Sequence, residues 1–171
     1  MNFPTIFGLP AHPLIVHATV VMVPLAALAV ALHAFVPRAR ARLGLITLGA
    51  AAVAVILVPL STSSGEQLQS EVGNTALVDR HAELADGLLP WVIGLLVVAV
   101  LLTVRDRTAG GRRMRLLPRG GATTVAGSLT KPVVIGVLAV LMVLGTTQQV
   151  IRIGHSGAQA AWHGVASAKR H

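Results

Sequence analysis

Four apolar blocks, Leu14 to Val36, Leu43 to Leu60, Leu88 to Val104 and Val133 to Ile151, run without a single Lys, Arg, Asp or Glu. Each is close to the roughly 20 residues that a helix needs to cross a hydrocarbon core. A segment in lipid has no water to satisfy its backbone, so it must be a helix or part of a closed barrel. These blocks are apolar on all sides, without the alternation of a barrel strand, and so predict helices. Composition agrees, because 12% charged residues against 54% hydrophobic ones is too few to clothe a water-soluble core. The expected fold is all-α: a polytopic membrane protein, a four-transmembrane-helix bundle, with residues 1–171 forming one domain.

Pro24 and Pro59 are expected to kink or end their helices, and Pro90 and Pro132 suit helix starts. The first block has no Lys or Arg before it and is too long for the apolar core of a cleaved signal. Alanine and glycine crowd the first two blocks, with Ala26, Ala27, Ala29 and Ala31 in one and Gly49 to Ala52 and Ala54 in the other. Small residues let helices approach closely in lipid, so these two are expected to pair through those faces. Between the second and third blocks, Asn74 or Thr75 can start an amphipathic helix. Leu77, Leu84 and Leu88 fall toward one side of it and Asp79, Glu83 and Asp86 toward the other. It should run into the third span and soften near Gly87. The stretch holding Gly110-Gly111, Pro118 and Gly120-Gly121 reads as irregular.

The net charge is +8, yet its placement does not suggest nucleic acid. Arg38, Arg40 and Arg42 lie between the first two blocks. Arg105, Arg107, Arg112, Arg113, Arg115, Arg119 and Lys131 lie between the last two. Such clusters beside spans mark cytoplasmic loops, and anionic lipid is their ordinary partner. Both termini and the acidic middle loop are then extracytoplasmic, in a bacterial plasma membrane crossed several times. Cysteine is absent, which excludes disulfides, thiolate zinc sites and covalent C-x-x-C-H haem attachment. No P-loop, G-x-S-x-G or H-E-x-x-H motif is present, so the chain is not expected to be an enzyme on its own.

Histidines carry what chemistry there is. His12, His17, His81, His155 and His163 all fall on the outer side in this topology. His17 lies about one turn inside the first span, where an unpaired polar side chain is costly. It is either hydrogen-bonded to a neighbour or a ligand of haem iron or another metal. His12, before Pro13, sits at the rim, where a solvated interfacial histidine is the expected reading. His81 is flanked by Asp79 and Glu83, which can orient a ligating imidazole or simply form a solvated helix face. His155 stands in Gly154-His155-Ser156-Gly157, and shares a face with His163 if the tail stays helical. His33 is assigned to the opposite interface, and His171 is terminal. Haem held by two imidazoles needs them on facing helices at one depth. His17, His81 and His155 occupy three helices at similar depth and are the expected ligands, supported by His12, Glu66, Glu83 and His163. Gln148 and Gln149 are expected to hydrogen-bond between helices.

The run Gly8-Leu-Pro-Ala-His12-Pro13-Leu-Ile-Val-His17 resembles the opening of the bacterial domain-of-unknown-function family 2231. Two further segments, Val58-Pro-Leu-Ser-Thr-Ser-Ser-Gly65-Glu66 and Gly154-His155-Ser156-Gly157-Ala-Gln-Ala-Ala-Trp162, are similar to its actinobacterial type, and His81-Ala-Glu-Leu-Ala-Asp86 resembles the histidine-started entry to its third helix. The resemblance implies a four-helix membrane protein. Some relatives are fused to Rieske-type iron–sulfur domains, which implies membrane electron transfer.

Three functions stay open. The chain is a subunit binding haem b or a transition metal in electron transfer, or a cofactor-free accessory subunit, or a small transporter or sensor. Its partners are the lipid bilayer and either redox-complex subunits or further copies of itself, with no nucleic acid. Reporter fusions should place both basic loops in the cytoplasm, and a fusion in either loop that reports from outside overturns the topology.

Overall fold

The computed structural model describes residues 5–6, 9–72, 75–113 and 126–168. Two short strands, β1 (Thr5–Ile6) and β2 (Leu9–Pro10), pair antiparallel ahead of the helices. Five helices follow: α1 (Ala11–Phe35), α2 (Pro37–Val72), α3 (Ala76–Asp86), α4 (Leu89–Arg113) and α5 (Ala126–Ala168). Among the described residues four spans are long and apolar enough to cross a membrane, with α3 and α4 lying end to end in the third. Each apolar block of the sequence lies within one of them, save Val36 at the end of the first, which falls between α1 and α2. The helices extend beyond the blocks, because polar turns outside the hydrocarbon continue the same backbone ladder.

Val36 alone separates α1 from α2. Pro37 opens α2, where its missing N–H costs nothing. Arg40 reaches back to the His33 and Ala34 carbonyls that the end of α1 leaves open, with Nη2 at 3.0 Å from Ala34 O. The two helices run antiparallel in one unbroken register. As one partner advances along α1, from His12 to Thr19 to Ala29, the other recedes along α2, from Ser64 to Leu57 to Thr47. The second hairpin does the same, with His81 against Ser156, Trp91 against Gly145 and Gly94 against Met142. The first hairpin is the most tightly joined, and the order around the bundle is α1, α2, α4, α5. One end carries His12 and His81, and is here the histidine end. The other carries Arg40 and Arg105, and is the arginine end.

Alanine closes the first hairpin as expected: Ala26, Ala27, Ala51 and Ala54 are all buried. Glycine does not, since a Cβ added at Gly44 or Gly49 would meet nothing within 4 Å. Two apolar layers fill the bundle. Ala27, Val30, Ala51, Leu95 and Leu102 pack toward the arginine end, and Val23, Ala54, Val58, Leu88 and Val92 toward the histidine end. Leu45, Ile46, Ile56, Leu144 and Ile151 are exposed, as lipid-facing side chains must be.

The amphipathic segment is α3, capped by Thr75, whose hydroxyl accepts from Val78 N at 3.3 Å. It stops at Gly87, as the sequence suggests. Gln149 of α5 seals the break by donating from Nε2 to Leu84 O at 2.6 Å. A side chain at position 87 would crowd that amide, because an added Cβ would lie 2.9 Å from Gln149 Nε2. Two expectations change: Pro132 lies well within α5 rather than at its start, and Gly110-Gly111 belongs to α4. Pro24 and Pro59 lie inside helices that continue past them, so neither ends its helix. His33 lies toward the arginine end, as expected, and is fully buried there. Pro118 and Gly120-Gly121 lie outside the described residues.

Trp91 rests directly on Gly145, and Met142 on Gly94. Gly145→Ala should therefore cost about 1–3 kcal/mol by overpacking a rigid indole, read as a lower unfolding temperature in detergent. Gly94→Ala should cost less, because a methionine re-routes where an indole cannot. Equal effects from the two substitutions contradict this packing.

Candidate functional site

Two serines on the outer reaches of α2 and α5 organise the histidine end. His12 Nδ1 lies 2.9 Å from Ser64 Oγ, and His81 Nδ1 lies 3.0 Å from Ser156 Oγ. Each serine hydroxyl donates its proton along its own helix, Ser64 to Ser61 O and Ser156 to Ile153 O, both at 3.0 Å. A hydroxyl has one proton. With the protons donated along the helices, each serine accepts from the imidazole, an arrangement that calls for the Nδ1–H tautomer in both histidines and leaves each Nε2 free to act as an acceptor or ligand.

Glycine follows serine in both places and makes room for the ring. A Cβ added at Gly65 would sit 3.2 Å from His12 Cε1, and one at Gly157 would sit 3.0 Å from His81 Cε1. The same clasp, histidine at the start of a hairpin and Ser-Gly near its end, thus occurs once in each half. His12 and His81 are half-buried, and both precede their apolar blocks, which begin at Leu14 and Leu88.

The other candidate ligands are placed differently. His17 is exposed and donates from Nδ1 to the Pro13 carbonyl of its own helix. It stands five positions after His12, which turns the two about 140° apart around α1. His155 is exposed as well, and its Nε2 accepts from Gln159 Nε2 at 3.1 Å. Glu66 and Glu83 are exposed. The His163 side chain and all of His171 lie outside the described residues. The structure places His12 and His81 at the same end of the bundle, each against its own serine, and leaves His17 and His155 on outer faces. Among the described residues, no group of three or more His, Asp or Glu side chains is placed to hold a metal ion.

Beside α3 lies an open cleft of about 660 Å³, lined by Asp79, Arg80, Glu83, Gln149 and Arg152 among others. Charges of both signs face each other across it, and neither His12 nor His81 lines it. At the arginine end, His33 Nε2–H donates to Asp106 Oδ2 at 2.9 Å, and Arg105 lies 3.3 Å from Oδ1 of the same carboxylate. His33 Nδ1 is buried without a partner among the described residues. Sequence reasoning singled out neither serine of the clasps nor this pair. Ser-Gly at the end of each hairpin was a visible signal for the clasps. Nothing local ties His33 to Asp106, because they belong to different hairpins.

Four antiparallel apolar spans, joined at one end by two histidine–serine contacts, define a polytopic four-helix membrane protein in contact with the lipid bilayer. The model of a family described as predicted membrane protein (DUF2231) matches residues 8–169, and the chain belongs to that family. No curated protein and no solved structure matches it.

Nitrogen NMR of the histidine rings should show both His12 and His81 protonated at Nδ1. Rings protonated at Nε2 alone would mean that the serines donate to them instead and would contradict this arrangement.

Proposed function

We propose that this chain is a multi-pass subunit of the bacterial plasma membrane, with both termini extracytoplasmic. Its extracytoplasmic end holds a haem iron or a transition-metal ion through the bare Nε2 atoms of His12 and His81. The observation that supports this reading is the twin tautomer. A ligating imidazole characteristically donates its other ring N–H to a fixed acceptor, which orients the ring and raises its basicity. Ser64 and Ser156 provide that acceptor twice, at the starts of two hairpins that face each other.

Two protein nitrogens suit a haem iron, whose remaining positions are filled by the porphyrin, more readily than a bare ion. A bare ion would complete its coordination with water or with a ligand from a partner chain. Either centre would supply one-electron chemistry. The protein's part is to fix the two rings and keep the apolar layer of Val58, Leu88 and Val92 beneath them dry. Electron transfer to other membrane-complex subunits, or between copies of this chain, is the corresponding role. His17 and His155 are then peripheral, and His81 is the one ligand shared with the set expected from sequence.

One observation favours a second reading, a cofactor-free accessory subunit. Each of the five histidines whose side chains are described at the histidine and arginine ends already has a protein hydrogen-bond partner: His12, His17, His33, His81 and His155. In that case the clasps only lock the hairpins.

An absorption spectrum and elemental analysis of the protein as purified in detergent separate the two. The ligand reading expects a Soret band or near-stoichiometric metal, abolished by His12→Gln or His81→Gln and kept in His17→Gln. Neither signal in the wild type supports the accessory reading.

A further inference from the structure

At the arginine end, remote from the histidines, the ends of α1, α4 and α5 leave an open cleft of about 570 Å³. Its walls are apolar, with Phe35 of α1, Leu102 of α4, and Val133, Val137 and Leu141 of α5. Gly136 keeps the α5 side shallow, since an added Cβ there would meet only Phe35 Cε1, at 3.9 Å. Two guanidiniums, Arg40 and Arg105, belong to the same lining.

Their charges are unequally spent. Arg40 hydrogen-bonds main-chain carbonyls alone, and among the described residues no carboxylate pairs with it. Arg105 meets Asp106, which it shares with His33. The single carboxylate in the neighbourhood therefore leaves positive charge over at the mouth of an apolar groove. A groove facing only acyl chains has no use for two arginines, and a basic loop in water has no use for the groove. An amphiphile with an anionic head uses both.

We propose that this cleft binds one anionic phospholipid, with an acyl chain along Phe35, Val133 and Val137 and the phosphate against Arg40 and Arg105. Guanidinium pairs with phosphate oxygens through parallel N–H donors, which gives it a grip on phosphodiester heads that a point charge lacks. Basic pockets between transmembrane helices on the cytoplasmic side are where such heads are retained. The proposal shares no residue with the histidine site and stands whether or not that site takes a metal.

Native mass spectrometry of the full-length protein in detergent, with equal amounts of palmitoyl-oleoyl phosphatidylglycerol and phosphatidylcholine added, provides the test. The wild type should keep the phosphatidylglycerol adduct in preference, and inorganic phosphate should not displace it. Arg105→Gln, which leaves the α1 end capped by Arg40, should cut that preference about five-fold. Gly136→Leu fills the groove while leaving both arginines, and should remove the adduct. Equal retention of the two lipids by the wild type overturns the proposal. So does an undiminished adduct in Gly136→Leu, which would place the lipid on the general surface, or displacement by phosphate, which would make the groove irrelevant.

Discussion

Any polar atom carried into hydrocarbon must find its partner within the protein, and this constraint organises the bundle. Thr19 bonds the Ile15 carbonyl at 2.8 Å and lies 3.4 Å from Leu57 O on the neighbouring helix. Thr103 does the same with Ala99 O at 2.8 Å and Gly44 O at 3.5 Å. Gln149 seals the gap between α3 and α4, and Arg40 covers the open end of α1. These bonds are individually modest in membranes. Their effect is to fix register, because each threonine finds a carbonyl across the helix pair at only one setting. Among the described residues, only His33 Nδ1 and Thr146 Oγ1 are buried side-chain polar atoms with no partner.

The two clasps apply the same rule at the rim. In each hairpin the histidine that opens it is held by a serine near its close, and a glycine beside that serine admits the ring. The repeat is one of geometry rather than of wording. His-Pro-Leu-Ile and His-Ala-Glu-Leu share little beyond the histidine, and the loops joining the two partners differ in length. What persists is a chain of donors, imidazole to hydroxyl to carbonyl, which sets one tautomer in both halves and leaves matching nitrogens unengaged. Alanine packing in the first hairpin, and the Trp91–Gly145 and Met142–Gly94 contacts in the second, hold the two halves rigid enough for that match to matter.

The four spans were legible because uninterrupted apolar runs in lipid admit one backbone solution. The α3 segment was legible for a different reason, its Thr75 cap and its break at Gly87 being local signals. Side-chain partnerships across the bundle were not. His17 looked like the sharpest position because it lies about one turn inside an apolar block, yet depth along the chain says nothing about which face it occupies. On α1 that face is exposed, and the Pro13 carbonyl one turn back answers its Nδ1–H. His33 looked interfacial because it nears the basic loop, and is buried because Asp106 from the other hairpin reaches it. Glycine seemed to promise close packing at Gly49, whereas the glycines that admit a neighbour are Gly65, Gly87, Gly94, Gly145 and Gly157.

Electron paramagnetic resonance of the full-length protein loaded with Cu²⁺ tests most directly whether His12 and His81 act as one site. Joint ligation through the bare Nε2 atoms predicts nitrogen hyperfine structure from two imidazoles. It should fall to one imidazole in either His12→Gln or His81→Gln and remain intact in His17→Gln and His155→Gln. A spectrum unaffected by His12→Gln and His81→Gln, or lost in His17→Gln instead, would contradict the account.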